Sequence, residues 1–384
     1  MSGRSPWRLV SSAARAGAVA ALAVASFVLV SMPGPRRLVQ GDDMRKVRAE
    51  VLSTDDAGIQ VHGLVEFGTQ RLRVRLPDGT EADAFNELRA QLEIDKKFVP
   101  GDTALVSVPY SRSPGDVLVA CDHWRLGWAL VLFACFAAFL CWFGRWPGAR
   151  ALFTFFFSCL VVWKYLVPAV LAGRSAVWST FFAVVFLSAA ITFLVAGFTR
   201  KGVAAFLGSV LGVVASLALV KFFSRVMHVN GATMPFVQQL LNSGCPGFDM
   251  ADVFVGSAIL ASSGAVMDLG MDIAAGVEEV ARHGRSLGFR ELWESGCRIG
   301  RAVVGTMTTT LLLAYSGGYI TLLMVFAANG TSPADFLNST LVSAELVKTL
   351  VGSFGLVLVA PFTAFASAAL FSRKSPRPGS GGVK

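Results

Sequence analysis

Charge is scarce in this chain of 384 residues: 15% of positions are Asp, Glu, Lys or Arg, and 54% are hydrophobic. Soluble domains run nearer 25% charged and 45–50% apolar, so with a mean hydropathy of +0.60 the soluble and disordered classes are excluded. The six cysteines include no CxxC pair, which argues against a zinc site or a disulfide framework. Cys135, Cys141 and Cys159 fall in apolar runs, and nothing in the spacing of Cys121 and Cys245 fixes a pairing. His62 and His123 stand too far from other ligand types to suggest a metal. Also missing are a Walker phosphate loop, an HExxH helix and a GxSxG elbow. The net charge of +9 comes without a basic face interleaved with aromatics, so nucleic acid is not an expected partner. The chain is not expected to be an enzyme, and no catalytic residue, metal or cofactor is assigned.

What is present is a set of long apolar runs. A bilayer core of about 30 Å needs roughly 20 apolar residues per helix, and eight stretches meet or approach this: 16–32, 126–144, 151–173, 176–198, 203–223, 251–267, 303–328 and 350–371. The sixth is the shortest, because Asp252 and Asp268 bracket it. Basic residues collect at cytoplasmic ends. With the N-terminus inside, Arg4, Arg8, Arg15, Arg145, Arg150, Arg200, Lys201, Arg282, Arg285, Arg290, Arg298, Arg301, Arg373, Lys374, Arg377 and Lys384 share one side, against Arg174 and Arg225 in the short outer loops. Both termini are therefore expected in the cytoplasm. The first run, in 1–35, is expected to be an uncleaved anchor, since "VLVSMPGPRR" offers no clear small-x-small cleavage site.

Between the first two runs lies the one polar block of domain size, 36–122. "IQVHGLVEF", "QRLRVRLPDGTEADAF" and "GDTALVSVP" alternate apolar and polar residues, with turn residues at Asp78-Gly79 and Gly101-Asp102. That pattern predicts short antiparallel strands. About five strands plus a helical patch in "FNELRAQLEI" suit a small extracytoplasmic barrel of OB-like type.

Three ordered blocks carry a resemblance: "NSGCPGFDMADVFVGSAILASSGAVMDLGMDIAAGVEEV", "GRAVVGTMTTTLLLAYSGGYITLLMVFAANG" and "SAELVKTLVGSFGLVLVAPFTAFASA". With "CDHWR" at 121–125 ahead of the second run, they make the chain resemble the YibE/F-like family of bacterial multi-pass membrane proteins. The resemblance implies the topology of a cell-membrane protein. A permease or transport-associated role is often attached to such proteins, with no activity or site residue to carry over.

The candidate polar pathway is Asp252, Asp268, Asp272, Glu345, Lys348 and Lys164, because ionisable side chains inside a membrane commonly line routes for ions or solutes. Each has a plainer reading. Asp268 and Asp272 fall on the polar face of a helix past the sixth run, and "FRELWESGCRIG" gives a second amphipathic pattern; together 268–301 read as a cytoplasmic helical hairpin. Gly264, Asp268 and Asp272 also fit half of the CDP-alcohol phosphotransferase signature, but "MADVFVG" lacks the other half. Lys164, beside Trp163 and Tyr165, can snorkel to an interface. Glu345 and Lys348 at i and i+3 can neutralise one another. In the seventh run Thr308, Thr309, Gly317 and Gly318 mark a helix break or close packing, Gly208 and Gly212 read as helix packing, and Pro361 as a kink in the eighth. The function expected is that of a permease or transport component. The alternative is a scaffold or sensor whose β domain binds an envelope partner. The expected partners are the lipid bilayer and a second copy or another membrane subunit.

Overall fold

The computed structural model describes residues 24–26, 28–31, 44–92, 94–111, 116–242, 247–283 and 287–372. Most of the expected first span, Arg4, Arg8, Arg15, Cys245, Arg285 and the basic tail from Arg373 lie outside the described residues. The chain divides into two compact units, one of Val39–Phe143 and one of Met1–Leu38 with Gly144–Lys384.

Among its described residues the first unit holds six strands: β1 (Met44–Asp55), β2 (Ile59–His62), β3 (Val65–Arg75), β4 (Glu81–Arg89), β5 (Thr103–Pro109) and β6 (Leu118–His123). β1 pairs with both β3 and β5, β3 with β4, β4 in parallel with β6, and β6 with β5. Five strands thus close into a barrel, and β2 extends the sheet beyond β3. Inward residues recur every second position, as Gln70, Leu72 and Val74 on β3 and Ala82, Ala84, Asn86 and Leu88 on β4. The β3–β4 turn carries Gly79 at φ 82, a conformation glycine adopts without a side-chain clash. One expectation is corrected here. Phe85–Arg89, read as the start of a helical patch, belong to β4; their two-residue apolar period and pairing to β3 outweigh the helix propensity of Glu-Leu-Arg.

Two side chains with no access to solvent, Gln70 and Asn86, hold the segment between β4 and β5. Gln70 donates to Asp56 Oδ1 (2.9 Å) and the Phe98 carbonyl (2.8 Å), and accepts from the Phe98 N–H (3.0 Å). Asn86 donates to Gln70 Oε1 (3.2 Å) and to the Lys96 carbonyl. The Gln70 donor, aided by Lys97 at 3.1 Å, holds the Asp56 carboxyl below its ordinary range against the effect of burial.

Beyond the barrel the chain is helical. Helix α1 (Leu126–Val161) has a non-helical residue inside it, Arg145 at φ 48 and ψ −131, and continues through a π-helical turn at Val162–Leu166 to Leu171. Pro168 explains that turn: it has no N–H for the Lys164 carbonyl, and Val167 bonds instead to the Val162 carbonyl. Then come α2 (Ala176–Ala196), α3 (Arg200–Val226), the short α4 (Val237–Asn242), α5 (Met250–His283), α6 (Phe289–Gly318), α7 (Ile320–Ala328), α8 (Pro333–Asn338) and α9 (Thr340–Phe371). Residues 24–31 include helix whose Leu29 packs with Phe157, Val161 and Leu187.

Among the described residues five helical stretches are long and apolar enough to cross a bilayer: Leu126–Leu171, Ala176–Ala196, Arg200–Val226, Met250–His283 and Thr340–Phe371. The bent pair α6 and α7 makes a sixth if counted as one span. The expected sixth run is longer than its charges suggest. Its helix continues to His283, because Leu269, Ile273 and Val277 keep an inward face fully buried beyond Asp268. The expected hairpin at 268–301 is accordingly made from the adjoining ends of two long helices.

Small residues set the packing. On α3, Ala204, Gly208, Gly212, Ser216, Val220 and Ser224 recur every four residues and are all buried. A side chain on Gly208 would strike Thr363 of α9, and one on Gly212 would come within 3.0 Å of Val266 on α5 and 3.1 Å of Val359 on α9. An adjacent side of α9, about 100° around the helix, presents Ala360 and Ala364 to Gly300 and Gly296 of α6, where a Cβ would meet a methyl carbon at 2.8 and 2.7 Å. Such contacts let backbones approach where lipid gives helices no hydrophobic drive to associate.

Two outcomes test these packings. Gly208→Leu is expected to separate α3 from α9 and cost about 2 kcal/mol or more through overpacking, read as a lower melting temperature in detergent, whereas Gly317→Leu, which meets no atom within 4 Å, should leave it in place. Gln70→Leu strands the Phe98 N–H and carbonyl, with an expected loss of about 2 kcal/mol and faster hydrogen exchange across β3 and 94–98. Because the Asp56 pKa is depressed on folding, its share of the stability is present above the unfolded carboxylate value of about 3.9 and fades as pH falls through the lowered folded value.

Candidate functional site

Charged side chains at the two ends of the bundle fix a depth scale. At one end Lys201 of α3 meets Glu278 of α5 at 3.5 Å, and Arg282 joins it at 2.9 Å. At the other, Lys221, Arg225, Asp249 and Asp252 line a cavity of about 350 Å³, with Ser175 donating to Asp252 at 2.8 Å. Lys201 and Lys221 are separated by about 30 Å of helix, the thickness of a hydrocarbon core.

Glu345 and Lys348 of α9 form an ion pair at 3.1 Å, with side chains only 17% and 12% exposed. Lys348 Nζ also lies 5.3 Å from the centre of the Phe254 ring of α5, a cation–π position that shields the ammonium. Glu345 spends one oxygen on Lys348; the other, Oε2, is buried and accepts no hydrogen bond. Glu345 opens into a cavity of about 170 Å³ whose other walls are Tyr315, Ser316 and Tyr319 at the end of α6, Leu322 and Leu323 of α7, and Phe336 and Leu337 of α8. Tyr319 shares this wall with Glu345. The cavity exists because α6 stops at Gly318 and α7 leaves at 63° to it. A carboxylate with a spare oxygen, two phenols, the hydroxyl side chains of Ser316 and Thr349 and mostly apolar walls can hold a small cation or exchange a proton, and the space admits several waters.

A protein-family model described as YibE/F-like protein matches residues 132–373. The chain belongs to the YibE/F-like family. No curated protein and no solved structure matches it. The match runs from within α1 to the end of α9, so the Glu345 cavity is part of the YibE/F-like region, and the barrel precedes it.

The other residues singled out from the sequence fall elsewhere. Asp252 sits in the charged end of the YibE/F-like bundle, and Lys164 on the π-helical turn. Asp268 and Asp272 lie on the exposed face of α5, level with open space at Gly264. At about 15 Å from Glu278 along the helix, Asp268 is deep enough that an uncompensated charge costs about 2.5–3.5 kcal/mol. Thr309 bonds to the Gly305 carbonyl at 2.9 Å, while the Thr308 hydroxyl is buried and unpartnered. Gly317 and Gly318 pack against nothing within 4 Å and stand at the break itself. Pro361 lies on the exposed side of α9, which continues through it. Among the described residues no three His, Cys, Asp or Glu side chains lie together as metal ligands would. Tyr315 and Tyr319 were missed. Their signal was present, two of only four tyrosines in the chain placed one helical turn apart across a glycine pair.

The ion pair makes a separable prediction. Lys348→Met leaves a buried charge without a partner and should cost about 3 kcal/mol, whereas Lys348→Met with Glu345→Gln, which removes both charges, should cost clearly less. Thermal unfolding in detergent reads both, and equal losses would show the pair to be no more than an interfacial contact.

Proposed function

We propose that this YibE/F-like protein is a permease or transport component that passes a small cation or a proton, with Glu345 as the binding position. The observation that carries the reading is the buried Glu345 carboxylate, one oxygen without a hydrogen bond, beside a cavity at the break between α6 and α7, towards the Asp252 end of the bundle, since interrupted helices often build substrate sites in transporters. Glu345 would bind the cation through Oε2 while Lys348 stays on Oε1, so occupancy and release change the local charge by one without unpairing Lys348. Tyr319 and Tyr315 would supply hydroxyl oxygens, and the leucines of α7 would limit the entry of water. No bond of the solute is broken in this scheme. The narrowness of the space around a single carboxylate favours a small ion over a bulky metabolite.

The same reading places the protein in the bacterial cytoplasmic membrane with eight spans, the first at 16–32 and the second and third separated at Arg145, with both termini inside and the barrel outside. The basic residues clustered at alternate helix ends favour that orientation. The ring order β1-β3-β4-β6-β5 with its one parallel contact favours an OB-like barrel. A second reading, a scaffold or sensor, is favoured by a groove of about 640 Å³ on the barrel with Asp55, Arg71, Arg73 and Asp83 among its walls, which would receive an envelope partner.

Flux measured in proteoliposomes decides between them. With ion-sensitive dyes inside and imposed H⁺, Na⁺ or K⁺ gradients, wild type is expected to carry one of these ions, Glu345→Gln to lose at least tenfold of that flux, and Asp268→Asn to retain it. Full flux in a correctly folded Glu345→Gln protein, or none in wild type, would remove the transport reading at this site.

A further inference from the structure

Among the described residues Asp268 and Asp272 of α5 and Arg301 of α6 are without partners, and Asp272 and Arg301 lie at the same depth. Ala261, Gly264, Asp268, Asp272, Ala275 and Glu279 form an exposed stripe along α5. Among the described residues, Asp268 and Asp272 make no ion pair or hydrogen bond, and neither does Arg301 of α6, which is exposed as well. A Cβ on Gly300 would lie 3.3 Å from Ile273, so Arg301 and Asp272, each one residue away, share a level.

One chain does not bring them together. Ile299 of α6 packs on Gly276 of α5, and Gly296 and Gly300 sit between α5 and α9, against Val277 and Ile273 on one side and Ala364 and Ala360 on the other. At about 100° per residue, Arg301 is turned some 200° from Ile299, away from α5. Asp272 is likewise turned roughly 100° from Ile273, out of the core. The carboxylates and the guanidinium therefore leave the bundle on different sides at equal height, each at a depth where an unpaired charge is unfavourable. An aspartate is too short to reach the interface by extending, unlike arginine.

We propose that a second copy of this chain covers the α5 stripe, its Arg301 meeting Asp272 and its α6 packing over the small residues Gly264 and Ala261 of the first. The contact is head-to-tail: every copy offers α5 on one side and α6 on the other, so repetition closes a ring when the rotation allows it. The small residues let the helices approach, and the opposite charges fix their register along the membrane normal. Charge complementarity selects this occupant over a copy meeting α5 with α5, which would set Asp272 against Asp272.

The test uses the full-length protein in nanodiscs, its stoichiometry read by native mass spectrometry. Wild type is expected to be oligomeric. Asp272→Arg and Arg301→Asp are each expected to weaken assembly by roughly tenfold or more while keeping the wild-type melting temperature. When the two variants, carrying different tags, are co-expressed, each should bind the other and not itself. A mixed contact sets the introduced guanidinium of one variant against the introduced carboxylate of the other, or the two unchanged side chains against each other, whereas a contact between identical variants sets like charges together. A monomeric wild type, single reversals that leave the oligomer intact, or folded variants that fail to recover on mixing would each overturn the proposal.

Discussion

Hydrocarbon solvates neither charge nor an unpaired peptide group, and it gives two apolar helices no gain from hiding their side chains from it. What holds the helical bundle together is therefore close approach. The four-residue stripe of α3 and the two stripes of α9, one through Gly355, Val359 and Thr363 and one through Gly352, Ala360 and Ala364, place backbone against backbone with little between them. Every other feature of the bundle is arranged around that three-way contact of α3, α5 and α9, onto which α6 is added by Gly296 and Gly300.

The same constraint governs which polar groups are tolerated. Many hydroxyls inside the bundle return their hydrogen bond to the preceding turn: Ser216 to the Gly212 carbonyl, Ser224 to Val220, Ser262 to Ile259. They cost little to bury and say nothing about function. Ser209, Thr363 and Ser367 do not follow this pattern and are buried without partners, and Ser209 and Thr363 both stand where Gly270 of α5 comes closest. Glycine there admits the hydroxyl oxygen against the helix backbone, a weak C–H contact replacing the usual bond. Charges are handled by pairing, as with Glu278 between Lys201 and Arg282 and Glu345 with Lys348. Against this background Asp268 and Asp272 are the exceptions that ask for something outside one chain.

How much of this the sequence disclosed follows from the range of the interactions. Strand alternation in "QRLRVRLPDGTEADAF" is a local signal, so β3, its turn at Asp78-Gly79 and the first half of β4 were legible. The continuation of β4 through Phe85–Arg89 was not, because it is fixed by pairing to a strand a dozen or more residues away. Apolar runs located α2, α3 and α9 well. The helix carrying Asp268 and Asp272 beyond the sixth apolar run was legible from its period, but not that its inward face stays fully buried to Val277, which depends on the helices packed against it. Among candidate residues, the pairing of Glu345 with Lys348 needs only helical geometry and could be anticipated. Their separation from Asp252 and Asp268 depends on which helices are neighbours, and no spacing within one helix encodes that.

The break after Gly318 links the remaining observations. Where a helix ends, its last carbonyls lose their helical bonding partners, and next to hydrocarbon this is tolerated only where the backbone lines a cavity or is buried in protein. Here Tyr319 N–H bonds back to the Ser316 carbonyl, and Leu323 restarts the ladder from Tyr319. Ser316 and Tyr319, on either side of the break, stand in the wall of the Glu345 cavity. Two adjacent glycines with nothing packed on them carry no packing role that would explain their presence; their effect is to lower the helix propensity at this point. A straight helix here would keep its carbonyls bonded and carry α7 away from the wall it now forms. The kink, the cavity and the partly unbonded carboxylate are consequently one arrangement, each requiring the other two.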